Sequence, residues 1–122
     1  MNMISGTEAL DLIEKEFPEI SEELREDEGL LHLQIGEFRH LAQSFIDGAK
    51  TNEFKRVCEL FVKLFPSASS ELENALNVSF LEHLNFTDGK KERSWAYTAM
   101  PPLMRKAWDE MEEYNDNLHS GR

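Results

Sequence analysis

The residues predict an all-α protein, a single-domain irregular bundle of about six helices, on three observations. Apolar side chains recur at steps of three and four, alternating runs with a β-branched bias are missing, and serines, glycines and prolines fall where that periodicity starts and stops. A chain of 122 residues suits one domain over 1–122, with enough apolar material for a single core. Linkers, low-complexity stretches and fixed-period repeats are absent, so an irregular bundle is preferred to a solenoid.

Taken in order, Ser5 and Glu8 have capping-box spacing ahead of Ala9, Leu12, Ile13 and Phe17, which gives a first helix that stops at Pro18. Ser21 is placed to cap a short second helix running through Glu28 to Gly29, held to the body by Ile20 and Leu24 with its acids facing water. A third spans about Leu30 to Ile46, buries Leu31, Ile35, Phe38, Leu41, Ala42 and Phe45, and closes near Gly48. Thr51 or Asn52 caps a fourth, whose inner stripe is Phe54, Val57, Cys58, Phe61, Leu64 and Phe65 before Pro66. The short connection between the third and fourth implies antiparallel neighbours.

Ser70 and Glu73 repeat the capping-box spacing and open a fifth, central helix through Leu72, Ala75, Leu76, Phe80 and Leu84, with Val78 and Leu81 widening its apolar face. The turn signal Thr87-Asp88-Gly89 and the bases Lys90, Lys91 and Arg93 put a partly helical loop between Asn85 and Ala99. Pro101 or Pro102 starts the last helix, on which Leu103, Met104, Ala107, Trp108 and Met111 repeat at helical spacing. Residues 1–5 and 115–122 are read as frayed ends.

The charge is patterned. Of a net −11, the first thirty residues supply −8, with ten carboxylates against Lys15 and Arg25; residues 31–70 are nearly neutral, and residues 71–122 return to −4. A field of this sign attracts cationic proteins and repels phosphate backbones, which points to a basic protein partner and away from direct nucleic-acid binding. Solubility alone is the competing explanation. The amino terminus shows no basic region followed by a long apolar stretch, so neither a secretory signal nor a membrane span is expected, and the expected location is cytoplasmic.

Catalytic chemistry has little to stand on. His32 and His40 lie on one side of the third helix, but eight residues span about 12 Å, too far to share one metal ion. Glu37 and His40 have the Glu-x-x-His spacing of carboxylate-bridged di-iron bundles, yet the motif occurs once where two are needed. One cysteine among scattered histidines, His83 and His119 included, does not make the usual zinc-ligand pairs. Cys58 sits in an apolar run that would raise its thiol pKa and leave it inert. The glycines fall singly, so no phosphate-cradling loop is present. The expectation is a protein that is not an enzyme and holds neither metal nor cofactor.

Binding surfaces remain. One acidic set is Glu22, Glu23, Glu26, Asp27 and Glu28; the other is Asp109, Glu110, Glu112, Glu113 and Asp116. Each can meet a lysine- or arginine-rich face and speed encounter with it, and each can equally be a solvated helix face. Tyr97, Trp95, Trp108 and Tyr114 are the aromatic candidates for contact residues, with Trp108 the one on an inner stripe. The expected partner-binding residues are therefore the carboxylates from Glu22 to Glu28 and from Asp109 to Glu113, with Tyr97.

Three stretches carry a family resemblance: Leu31-His-Leu-Gln-Ile-Gly-Glu-Phe, Asn74-Ala-Leu-Asn-Val-Ser-Phe-Leu-Glu-His-Leu and Pro101-Pro-Leu-Met-Arg-Lys-Ala-Trp-Asp-Glu-Met. Over residues 5 to 114 the chain resembles the small acidic all-helical bacterial immunity proteins of contact-dependent growth inhibition and related polymorphic toxin systems. The resemblance implies a protein that binds a cognate toxin domain, often a nuclease with a basic substrate cleft, and blocks it. It carries packing motifs and no catalytic signature. The competing reading is a helical adaptor or regulatory subunit that recruits some other basic protein.

Overall fold

The computed structural model describes residues 3–86 and 94–120, with side chains for all of these except 94 and 115–120. Ser5 opens α1 (Gly6–Glu16) as its sequence predicts: the Ser5 hydroxyl accepts from the Glu8 N–H at 3.1 Å, and the Glu8 carboxylate accepts from the Ser5 N–H at 3.0 Å. Ile4, just before it, donates to Ser67 O at 2.7 Å and accepts from Ser69 N–H at 2.9 Å. Ile4 and Ser5 are therefore tied down, against the expectation of a frayed start. Phe17 leaves helical geometry at φ −130°, and Pro18–Ile20 form one 3₁₀ turn that runs into α2 (Ser21–Glu26). Ser21 lies inside the first turn of α2 and makes no side-chain cap, because the preceding 3₁₀ turn already occupies the cap position with Ile20.

α3 (Leu31–Asp47) buries Ile35, Phe38, Ala42 and Ile46, while Leu31, Leu41 and Phe45 are only half-buried. Its end is a Schellman motif: Ala49 N–H donates to Ile46 O at 3.2 Å and Lys50 N–H to Phe45 O at 2.8 Å. The left-handed residue that this motif requires is Ala49, at φ 55°, and not the neighbouring Gly48. Alanine carries a strain of about 1 kcal/mol there that glycine would lack. α4 (Thr51–Leu64) follows and packs on α3. Lys50 stands at its cap position, so neither Thr51 nor Asn52 caps it. Burial of Phe54, Val57, Cys58, Phe61 and Leu64 matches the predicted stripe except at Phe65, which is half-buried and opens the 3₁₀ turn after α4, and Leu60 is added to it.

The fifth element departs furthest from expectation. Ser69, not Ser70, caps α5 (Ser70–Ala75) by accepting from the Leu72 N–H at 3.2 Å. The chain then winds as a π-helix over Leu76–Phe80 and as a 3₁₀ turn over Leu81–His83. The wider turn, with its i→i+5 bonding, rotates Val78 into solvent and brings Phe80, Leu81 and Leu84 inward. This stretch packs on α3 and α7, which makes it central as predicted. Residues 87–93, which hold the predicted turn and basic cluster, lie outside the described residues. α6 (Ser94–Ala99) and α7 (Pro102–Ser120) complete the chain; Pro102 takes the first helical position, and α7 runs past Tyr114.

The architecture is all-α, with seven α-helices and no strand among the described residues. Two aromatic systems fill its core. Phe17 of the α1–α2 corner meets Phe38 of α3 at 6.1 Å between ring centroids; Phe38 stacks on Phe80 at 4.9 Å, Phe80 on Phe61 of α4 at 5.7 Å, and Phe61 on Phe65 at 4.9 Å. The second system is edge-to-face: Phe86 meets Trp108 at 5.2 Å, Tyr97 at 6.1 Å and Phe54 at 6.4 Å, and Phe54 meets Trp95 at 5.7 Å. Arg56 of α4 clamps the end of α1, donating to the Glu16 carboxylate at 2.8 Å and the Glu16 carbonyl at 2.6 Å while lying 4.8 Å above the Phe17 ring.

Candidate partner-binding surface

The five acids of the first set do not act alike. Glu22, Glu23, Glu26 and Glu28 are exposed on or just after α2, and none has an ion-pair partner among the described residues. Asp27 is half-buried and turns toward Glu37 of α3. Burial, a hydrogen bond to Asp27 and repulsion from its charge push the Glu37 carboxyl above the usual range, with His40 pulling weakly the other way from 3.9 Å. Arg25, the cation within this run, reaches back to α1 and bonds Glu14 at 3.1 Å. Gly29, at φ 86°, takes the left-handed turn that lets the chain leave α2 and enter α3.

Between α1, α2 and the starts of α3 and α5 lies an open groove of about 480 Å³. Leu10, Leu24 and Leu31 give it apolar surface; Asp11, Glu14, Glu28 and Glu71 give it four carboxylates against the single guanidinium of Arg25, a net of −3. Gly6 keeps α1 close to α3, since a Cβ there would lie 3.0 Å from the Leu31 methyls. Gln34, only 7 % exposed, also lines the groove. Its Nε2 donates to Leu24 O at 2.9 Å and ties α3 to the end of α2. Sequence reasoning missed Asp11, Glu14, Gln34 and Glu71. The available signal was Gln34 itself, a polar residue at the i+3 position from Leu31 in an otherwise apolar stripe.

The second acidic set is compensated locally. The Tyr97 hydroxyl donates to both Asp109 oxygens, at 2.9 and 3.1 Å, and that bond raises the Tyr97 pKa. Lys106 pairs with Glu110 at 3.6 Å, and Arg105 lines the same shallow surface as Asp109, Glu110 and Glu113. Glu112 is half-buried and engaged in an interaction of its own. Tyr97 therefore packs against Phe86 and Trp108 with its hydroxyl already bonded, and Trp108 is buried with Nε1 directed to Leu84 O at 3.3 Å. Of the four aromatic candidates, Tyr114, 60 % exposed, presents the most open ring. The side chain of Asp116 lies outside the described residues.

Among the described residues the histidines and the cysteine are not grouped for metal binding. His32 Nδ1 sits 2.7 Å from the Ser79 hydroxyl and links α3 to the π-helical turn. Burial pushes the Cys58 thiol up to about 12, which leaves it a hydrophobe at neutral pH. Among the described residues no group of three or more His, Cys, Asp or Glu side chains is placed to hold a metal ion, and no helix is long and apolar enough to cross a membrane.

Residues 10–116 match the family described as a domain of unknown function, DUF7674. The chain belongs to that family. No curated protein and no solved structure matches it. The DUF7674 match spans α1 to α7 and so takes in both acidic sets and most of the groove.

Proposed function

We propose that this DUF7674 protein is a non-enzymatic immunity protein, which binds a cognate bacterial toxin in the cytoplasm and neutralises it. The toxin is a nuclease acting on RNA, transfer RNA foremost, and the block is occlusion of its basic active-site cleft by carboxylates. The observation that carries this reading is the exposed, unpaired set Glu22, Glu23, Glu26 and Glu28 beside the acidic groove. Unpaired charge on a protein surface acts at a distance on a cationic partner, whereas paired charge does not. The same sign of field repels nucleic acid, so the chain meets the nuclease and not its substrate. The resemblance to toxin-system immunity proteins supplies the partner class.

The test is co-expression with the protein encoded immediately upstream, purification through a tag on one partner, and assay of that protein's toxicity and RNase activity with and without this chain. A stable complex with lost activity is the expected result. Free partners and undiminished toxicity would overturn the pairing and favour a helical adaptor for another basic protein.

A further inference from the structure

We infer that the face of α3 turned toward residues 76–85 is a receptor for one carboxylate, held by Arg39 in a gap beside Gly36; it is separate from the acids of α2 and goes beyond the proposed binding function. His32, Gly36, Arg39 and Gln43 recur at steps of four, three and four, which places them within about 60° of one another around the helix. Two ties show where that stripe faces. His32 Nδ1 lies 2.7 Å from the Ser79 hydroxyl, and Gln43 accepts from Asn85 N–H at 3.0 Å while donating to Asn85 O at 3.1 Å. Gly36 and Arg39 lie between these ties and are half-buried, whereas Glu37 turns away toward Asp27.

Two features of this stripe lack a reason within the fold. A glycine inside a 17-residue helix costs stability, and close packing is the usual compensation, yet a Cβ on Gly36 would meet no atom within 4 Å. Arg39 Nε is buried without a hydrogen-bond partner. The other arginines whose side chains are described are each bonded: Arg25 to Glu14, Arg56 to Glu16, and Arg105 through Nη2 to the Thr98 and Met100 carbonyls. Glu82, the one carboxylate on residues 76–85, is half-buried and forms no ion pair with Arg39. A buried N–H left unbonded costs free energy that an incoming acceptor recovers. One occupant accounts for both features, a group that takes the space beside Gly36 and accepts from Arg39. A carboxylate only accepts, and a guanidinium grips it through two parallel N–H bonds, with one charge meeting one charge. The net charge of −11 disfavours a more highly charged phosphate at the same place.

The experiment titrates ¹⁵N-labelled protein, at constant ionic strength, with acetate, N-acetyl-glutamic acid α-amide, its neutral glutamine counterpart and inorganic phosphate. The two carboxylates should give saturable shifts at the Arg39 Nε–H and at the Gly36 and Ser79 amides, and the glutamine compound none. Tighter binding of the glutamate compound than of acetate identifies an acidic side chain of a polypeptide as the source, and equal binding a free carboxylic acid. Arg39→Gln should weaken binding at least tenfold. Gly36→Leu should weaken it as much by filling the gap, without lowering the urea midpoint, since leucine is the better helix former. Lys15→Gln, on α1, should leave it within about twofold. An Arg39 Nε–H that does not move, tighter binding of phosphate, or unchanged affinity in either stripe variant would overturn the assignment. So would an Arg39 Nε–H displaced by Glu82→Gln without any probe, because Glu82 would then be its partner in solution. The probes need no toxin, so this site and the immunity pairing fail separately.

Discussion

α2 and α7 each carry a run of carboxylates, Glu22 to Glu28 on one and Asp109 to Glu113 on the other. On α7 the fold sets donors among them: Lys106 against Glu110, the Tyr97 hydroxyl on Asp109, and Arg105 beside both. On α2 the one cation turns away to Glu14, and two of the acids are drawn into a groove and against Glu37. Counting charges along a sequence therefore overstates the field of one helix relative to the other. The deciding factor is which counter-charges the tertiary structure brings alongside, and α2 receives few.

The sharpest way to break the contrast is charge reversal. Glu22, Glu23, Glu26 and Glu28 all changed to Lys should slow association with the basic partner by roughly ten- to a hundredfold at low salt and flatten its salt dependence, with the helical circular dichroism spectrum retained. Stopped-flow rates at several ionic strengths measure this; unchanged kinetics would remove α2 from the interface. On the α7 side, Arg105 donates to Thr98 O and Met100 O at 2.8 Å each and so fastens α6 to α7. Arg105→Met should lower unfolding stability by about 2 kcal/mol in urea titrations through the loss of two charge-assisted bonds. Retention of full stability would mean that the α7 cations are not structural.

Reversal of Glu110 and Glu113 sharpens the comparison from the other direction. With the α7 field already offset, the association rate should change no more than about two- to threefold, and a loss matching that of the α2 variant would show both helices at the interface. The smallest effect concerns Glu37. Its carboxyl is raised by burial and by Asp27, so the folded state holds that proton to higher pH than the unfolded chain does. Stability from this site falls as pH climbs out of the ordinary carboxylate range and is restored below it. Glu37→Gln should stabilise at pH 7 by less than about 1 kcal/mol, and the advantage should vanish as pH drops toward 4. A constant difference across that range would show that Glu37 is not strained by its neighbours.

Local rules are legible in the sequence wherever they act within one helix. The Ser5–Glu8 box, the stripes of α3 and α4 and the proline start of α7 all come from spacing alone. Ser21 and Thr51 mislead because the turns before them place each inside its helix, a fact of the connection and not of the residue. Val78 misleads because nothing in Leu76–Phe80 announces a π turn; the stretch is as good an α-helix by pattern. The groove is illegible for a different reason. Asp11, Glu28, Gln34 and Glu71 come from four segments, and their company exists only after α1 and α3 have closed on Gly6.

The π turn also governs how the two halves of the core are joined. Phe80 joins Phe38 to Phe61 in the stack of rings that begins at Phe17, while Leu84, a few residues on, supplies the carbonyl that holds the Trp108 indole. The extra residue in that turn works as a phase shifter, since each helical residue added or removed rotates all later positions by about 100°. Wound as an ordinary α-helix with every residue kept, Leu76–Phe80 would point Phe80 and Leu84 away from their partners together, whereas deleting one residue would let an ordinary helix run through in phase. The two aromatic systems are thus kept in step by a single irregular turn.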